Sequence, residues 1–418
     1  MEMKIGNLFK GDKVVWMVFF LLCMISIVEV FSASSNLTYE SQNYMKPIAK
    51  HTSTVIAGVV VAIVILHIPC RYFKLLALPL LVTSAVLLVS VYFLGERIND
   101  GGRWIKILGF TFQPSEIAKG TMVLVTAQIL SAMQRENGAD RAAFKYILCC
   151  LVPIFIAIGV ENLSTAILLF GVIYLMMIIG RIPKSQMWKL TGVVGVLVAV
   201  ALTLILTLGK TDSPQTDNAT MTETVSINNE KDETTTKKSF DIFHRMGTWR
   251  NRIITFFDNK EVPPEKYDLV NNWQVAHANI AITGSNIIGK GPGNSVERDY
   301  LPQAFADFIF TIIIEEMGII GATLVVFLYI VLLYRASRIA SRCENNFPAF
   351  LIMGLTLLLV CQAISNMMVA VGIAPVTGQP LPLISKGGTS TIINCAYIGV
   401  ILSISRSAKM KVKEAIIK

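Results

Sequence analysis

The sequence predicts an all-α integral membrane protein with ten transmembrane helices and a large external loop between the seventh and the eighth. Three observations carry this. Charged residues make up 16% of the chain and hydrophobic ones 53%, whereas soluble domains carry about 25% charge. Apolar runs such as 14–32, 52–68 and 75–94 come close to the ~20 residues that a helix needs to cross a hydrocarbon core. Lysine and arginine gather on alternate loops, which fixes an orientation.

The expected helices span 14–32, 52–68, 75–94, 116–133, 145–160, 164–180, 188–209, 307–334, 349–371 and 389–406. The first run is too long for a cleaved leader, and no Ala-x-Ala-like site follows it, so it reads as a retained span. An even number of spans puts both termini on one side. The loops on that side hold Lys10, Lys13, Arg71, Lys74, Arg141, Lys145, Arg335 and Arg338, and a basic tail follows Arg406. The short loops opposite are poorer in basic residues, so both termini are expected in the cytoplasm. The net charge of +9 therefore reports topology and membrane lipids, and no nucleic-acid partner is expected.

Three regions follow: 1–209 with helices 1–7, an extracytoplasmic loop at 210–306, and 307–418 with helices 8–10 and the tail. Within the loop, 211–238 has almost no large apolar residue and reads as flexible. Aromatic and aliphatic residues return over 240–306, which is expected to be ordered on the membrane face. GKGPGNS at 289–295 places its lysine ahead of the second glycine pair, so it is not a phosphate-binding loop, and no nucleotide is expected. The seven cysteines show no zinc or disulfide spacing and read as buried free thiols. The four histidines form no metal pair, and His67 reads as core or interface.

Charged residues within or against spans point to function by default, and four constellations stand out. The first joins Arg103 and Lys106 to the FQPSEIAK run, where Pro114 suits a first helical turn and Gln113 or Ser115 a cap. Glu116 and Lys119, three apart, share a face. They form either a salt bridge that anchors a helix end or, with Arg103 and Lys106, a cationic wall for a pyrophosphate. The second, Glu161-Asn-Leu-Ser-Thr165, reads first as a helix cap. The third is Asp307, Glu315 and Glu316 in one half-helix. Helical phase puts Asp307 and Glu315 on the cavity face and Glu316 against packed helices. The fourth is PVTGQPLPLISKGGTS at 375–390, with Ser385 and Lys386, whose prolines and glycines fit a loop folding back to line a site.

In this order, the NDGGRWI region, FQPSEIAK, ENLSTA, IIGKGPGNSVERDYLPQAFADFIFTIIIEEMGIIG and APVTGQPLPLISKGGTS resemble the SEDS family of cell-wall glycosyltransferases over nearly the whole chain. GxGNS followed closely by YLP and DFIF is nearer to its division-type FtsW branch than to the sister RodA branch. The resemblance implies polymerisation of lipid II into peptidoglycan strands at the division septum, by a protein of the bacterial inner (cytoplasmic) membrane. It also implies a class B penicillin-binding protein and other divisome proteins as partners. The family's essential acid, an aspartate in the external loop, maps onto Asp268 ahead of Trp273-Gln274, with Asp258 as the alternative. Arg103, Lys106, Glu116, Lys119, Asp307, Glu315, Ser385 and Lys386 would bind substrate. A divalent cation, Mg2+ or Mn2+, is an optional cofactor with no ligand set assigned. The chain departs from the family pattern at Asn162, Lys386 and the residues around Asp268. The other readings are a lipid II flippase or the elongation role of the RodA branch.

Overall fold

The computed structural model describes residues 9–34, 45–94, 96–98, 101–107, 110–136, 138–208, 256, 273–301 and 304–417. Stretch 211–238, Asp258 and Asp268 lie outside these residues, and of 240–306 the structure describes 256, 273–301 and 304–306. The chain divides into two units, Met1–Trp188 with Tyr267–Lys418, and Lys189–Lys266. The described part of the second unit is residue 256 and the helical stretch to Leu208.

The helices are α1 Lys13–Ala33, α2 Met45–His67, α3 Cys70–Leu94, α4 Pro114–Ala132, α5 Arg141–Glu161, α6 Leu163–Ile179, α7 Lys184–Leu208, α8 Trp273–Thr283, α9 Ile309–Ala340, α10 Asn346–Ala370 and α11 Thr389–Ile417. Among the described residues, eight of them are long and apolar enough to cross a membrane: α1, α2, α3, α5, α7, α9, α10 and α11. This is fewer than the ten expected. α6 is apolar but has 17 residues, and α4 carries Glu116 and Lys119 near its start.

Starts follow local chemistry. Asp12 caps α1 by accepting from the N–H of Val14 and Val15. Asp140 caps α5 through Ala142, four residues ahead of the expected start. Asn162 accepts from Thr165 N–H at 3.2 Å and caps α6, as the sequence suggested. α4 starts with Pro114 at its first turn, but Gln113 makes no side-chain cap bond.

The fold is not purely helical. β1 Glu96–Ile98, β2 Gly101–Ile107 and β3 Phe110–Phe112 form a three-stranded antiparallel sheet between α3 and α4. A two-stranded ribbon, β4 Gln134–Arg135 and β5 Gly138–Ala139, joins α4 to α5. The seven cysteines are free; Cys23 and Cys395 are buried, Cys149 is exposed, and the other four are half-buried. His67 is exposed rather than core, with Nδ1 against the carbonyl of Ile63.

α2 packs on α11, where Gly58 faces Cys395 and Gly399 faces Ala62. Small residues at these crossings let the two backbones approach. α4 sits against α3 and α10, and α9 against α10 and α1. One end of the first unit, hereafter the loop end, collects the C-terminus of α1, the N-terminus of α2, the β1–β3 sheet and residues 273–301, 304–308 and 371–388. The tail end holds Asp12, Arg335 and Ser405 in one cluster.

α9 departs most from expectation. It begins at Ile309, so Asp307 lies in the preceding turn and not on the helix. Gly318 breaks it, with φ 68 and ψ −168, a region open essentially to glycine alone. The carbonyls of Glu315 and Glu316 then accept the N–H groups of Lys290 at 3.0 Å and Gly291 at 2.8 Å. Ile320 N–H returns to the carbonyl of Ile287 at 3.3 Å. Segment 287–291 thus takes up the groups that the break sets free. A Cβ on Gly318 would run into the Ile287 carbonyl, and one on Gly289 into that of Glu316.

Gly318→Ala is therefore expected to destabilise the fold by about 3 kcal/mol, from the dihedral together with the clash. Gly293→Ala, with φ +86 but open space around its Cβ, should lose about 1 kcal/mol. Thermal unfolding in detergent checks the order; equal losses would mean that the crossing at 287–291 is not what holds the break.

Candidate active site

Residues 371–388 run without helix between α10 and α11, yet Gln379, Leu381, Leu383, Ile384 and Ser385 are buried. Buried backbone needs partners, and side chains from three helices supply them, with two further helices holding side chains of the network. From α10, Gln362 donates to the carbonyl of Pro380 at 3.0 Å, and Asn366 to those of Gln379 and Asp307 at 2.8 and 2.7 Å. Tyr329 of α9 donates to the Pro382 carbonyl, and Ser26 of α1 to that of Ile384 at 2.6 Å. The Gln379 amide donates to Thr165 of α6. α4 enters through Lys119, which donates to Gln362 Oε1 at 2.8 Å. The loop is thus a moulded wall.

Lys119 also pairs with Glu116 at 2.9 Å, and both side chains are almost wholly buried, at 1% and 3% exposed. The expected pairing across one helix face is present. Its setting is interior: Tyr397 of α11 donates to the Glu116 carbonyl at 2.6 Å. Arg103 and Lys106 lie on β2, where Lys106 stands opposite Thr111; their side chains are outside the described set. Between α3, the start of α4 and the end of α5 lies a narrow crevice, where Gln113, Ser115, Glu161 and Asn162 face Leu88 and Val91. It brings the first two constellations to one place.

The acids of α9 overturn the assignment of faces. Glu315 does not line a cavity; it is fully buried. Its carboxylate pairs with Lys290 at 2.6 Å and accepts from the Ser295 hydroxyl and the N–H groups of Val296 and Glu297. Glu316 is equally buried and takes the Ser32 hydroxyl and the N–H groups of Gly293 and Ser295. Both adjacent side chains serve the 290–297 segment, which comes close to them because 287–291 packs into the break at Gly318. Asp307 is half-buried, with an oxygen 3.5 Å from where a Cβ on Gly378 would sit.

Ser385 bonds the carbonyl of Ala306 and the N–H of Leu381. Lys386 hangs its ammonium 4.9 Å from the ring centre of Phe305. Burial, and then the charge of Lys50, push the Lys386 ammonium below the usual lysine range. Among the described residues no three His, Cys, Asp or Glu side chains come together to hold a metal ion.

Several of these residues escaped the sequence reading. Gln362 and Asn366, four apart in an apolar run, share a helix face; that spacing was the available signal. His277 meets Glu297 at 2.5 Å and stacks on Tyr300. His51 meets Ser26 at 2.9 Å. Glu29, in α1, is fully buried and neither carboxylate oxygen has a hydrogen-bond partner among the described residues.

Removing one member of a buried ion pair strands the other, at about 3–5 kcal/mol, whereas replacing both by apolar groups is often near neutral. Glu116→Leu and Lys119→Met are each expected to lower stability on that scale, and the double variant to recover most of the loss. Thermal unfolding of the three variants checks this; additive losses would mean that the two side chains do not depend on each other.

The family model FTSW_RODA_SPOVE, described as a cell cycle protein, matches residues 12–410. A protein of Trichlorobacter lovleyi named probable peptidoglycan glycosyltransferase FtsW is 27% identical over 407 residues, covering 96% of this chain and 94% of its own length. Peptidoglycan glycosyltransferase MrdB of Escherichia coli is 28% identical over 357 residues, 84% of each chain. A chain solved in work on polymerization and crosslinking by a peptidoglycan synthase complex superposes with a TM-score of 0.68 at 21% identity, covering 95% of this chain and 98% of that one. The rod shape determining protein RodA of Thermus thermophilus gives a TM-score of 0.62 at 19% identity, covering 96% and 98%. These likenesses give the fold, and with the family model's span over nearly the whole sequence they lead to one conclusion: the chain belongs to the FTSW_RODA_SPOVE family of cell cycle proteins.

Proposed function

We propose that this multi-pass membrane protein is a peptidoglycan glycosyltransferase that polymerises lipid II into glycan strands. The observation that carries the reading is the family match over residues 12–410, whose curated relatives bear that activity in their names. The placement of charge agrees with it. Glu29, Glu116, Lys119, Glu315 and Glu316 all lie within about two helical turns of the loop end. Chemistry at one membrane face needs charge there, whereas a flippase needs it through the depth of the bundle.

The finer reading adds α4 and α6 to the eight apolar helices, for ten spans with both termini in the cytoplasm, so that the loop end faces outward. The FtsW names among the relatives favour septal cell-wall synthesis over the elongation role. A class B penicillin-binding protein is the proposed partner, in keeping with the complex in which one structural relative was solved.

The reaction moves a sugar from a polyprenyl pyrophosphate to a hydroxyl of a second sugar. That hydroxyl must lose its proton as it attacks, and a carboxylate at the membrane face is the natural base. Asp268 is the proposed base, with Asp258 as alternative; both lie outside the described residues. The leaving pyrophosphate gathers negative charge, and cations at the loop end stabilise it. Mg2+ or Mn2+ enters the proposal as a companion of the substrate's own phosphate oxygens.

Asp268→Asn should reduce strand formation by about 10²–10⁴-fold, the usual worth of a general base, with membrane insertion unchanged. The assay is purified protein, with and without its penicillin-binding partner, given lipid II, with strands resolved by length. Normal synthesis by Asp268→Asn beside an inactive Asp258→Ala would move the role to Asp258.

A further inference from the structure

Most cations described at the loop end are already engaged. Lys119 is held by Glu116 and Gln362, and Lys290 by Glu315. Arg298 donates to Ser32 Oγ and to the Gly293 carbonyl. Lys386 and Lys50 differ: neither has an acid partner among the described residues, and the fold brings the two together.

A chain of hydrogen bonds does this. His51 Nε2 lies 2.9 Å from Ser26 Oγ, which lies 2.6 Å from the carbonyl of Ile384. A carbonyl only accepts, so the Ser26 proton points to Ile384, and His51 Nε2 must carry the hydrogen that it gives to Ser26. Residue 51 of α2 is thereby fastened to residue 384, and its neighbour Lys50 lies on the side from which its charge acts on Lys386. The base of Lys386 is fixed as well. Its N–H donates to the Phe305 carbonyl at 3.0 Å, Ser385 is tied to Ala306 and Leu381, and its ammonium rests over the Phe305 ring. The two like charges repel, and besides the Phe305 ring no described acid is paired with either. Unpaired cations fixed by their surroundings are what an anion site requires.

We propose that Lys386 and Lys50 form a subsite for a phosphate or pyrophosphate group carried by a lipid. Two sources share this chemistry: the pyrophosphate of a polyprenyl-linked sugar and the headgroup of an anionic phospholipid. The first is the assignment made here, and it rests on the glycosyltransferase reading. It moves the anion-holding role from Lys119, whose charge is already answered inside the bundle, to the two lysines whose charge is not.

The test uses the full-length protein in phosphatidylcholine nanodiscs, titrated calorimetrically with inorganic pyrophosphate. Lys386→Gln and Lys50→Gln should each weaken binding about tenfold, the scale of one charge-assisted hydrogen bond, and Lys386→Arg should restore it. Since the Lys386 ammonium is pushed down, its charge is lost as pH rises to values where an ordinary lysine still keeps its own. Binding by the parent should fade there, while Lys386→Arg extends it to higher pH. Equal affinities and equal pH profiles for the parent and both glutamine variants would overturn the subsite. Undecaprenyl pyrophosphate should compete with inorganic pyrophosphate and phosphatidylglycerol should not; the reverse would overturn the assignment to the substrate. A parent that binds pyrophosphate but forms no glycan leaves the subsite standing and refutes the glycosyltransferase reading. Polymerisation with unchanged KM in both glutamine variants would refute the subsite alone.

Discussion

Every backbone amide placed where water is scarce must find a partner inside the protein, and the loop end of this fold is organised around that demand. Two stretches violate helical continuity there. At Gly318 the carbonyls of Glu315 and Glu316 leave the helix, and segment 287–291 arrives to receive them. Over 371–388 the chain abandons the helix altogether, and Gln362, Asn366, Tyr329 and Ser26 reach in to bind its carbonyls. The polar residues of α1, α9 and α10 are thus the complement of irregular backbone, and their positions follow from where that backbone runs.

The same demand sorts the charges into two kinds. Glu315, Glu316, Glu116 and Lys119 are buried and answered, each by named donors or an opposite charge. They give the loop end its shape, since a buried ion removed from its partner is strongly destabilising. Asp307 and Lys386 are only half-buried and lie on the moulded loop or directly against it. Substrate chemistry needs groups of the second kind, held in place but still partly exposed at the loop end.

Much of this was legible in the sequence. Hydropathy runs gave the helices because they report the one property a span must have, and Asn162 and Pro114 marked two starts through familiar end chemistry. The pairing of Glu116 with Lys119 followed from their spacing. Gly318 was not legible: a glycine within an apolar run is compatible with an unbroken helix, and only the approach of Ile287 and Gly289 shows why a side chain is excluded. That omission hid the arrival of the 287–297 segment at Glu315, while the error at Asp307 came from a helix that starts only at Ile309. The β1–β3 sheet escaped because its two outer strands have three residues each and its central strand opens on two glycines, which leaves almost no periodicity to read. His51 and Gln362 act across separations of 25 and 18 or more residues, and no local pattern encodes such partners.

The bonds of α1 bear on how the molecule comes into being. Asp12 donates its amide to Ser405 and takes Arg335, Ser26 reaches Ile384, and Ser32 reaches Glu316; these partners stand 393, 323, 358 and 284 residues away. Chains emerge from the ribosome N-terminus first. The first helix made is therefore the last to have its polar groups answered, and it waits in the bilayer until nearly the whole chain has followed. The C-terminal hundred or so residues act as a clasp, and a nascent chain stopped short of them holds this span without the distant partners of Asp12 and Ser26.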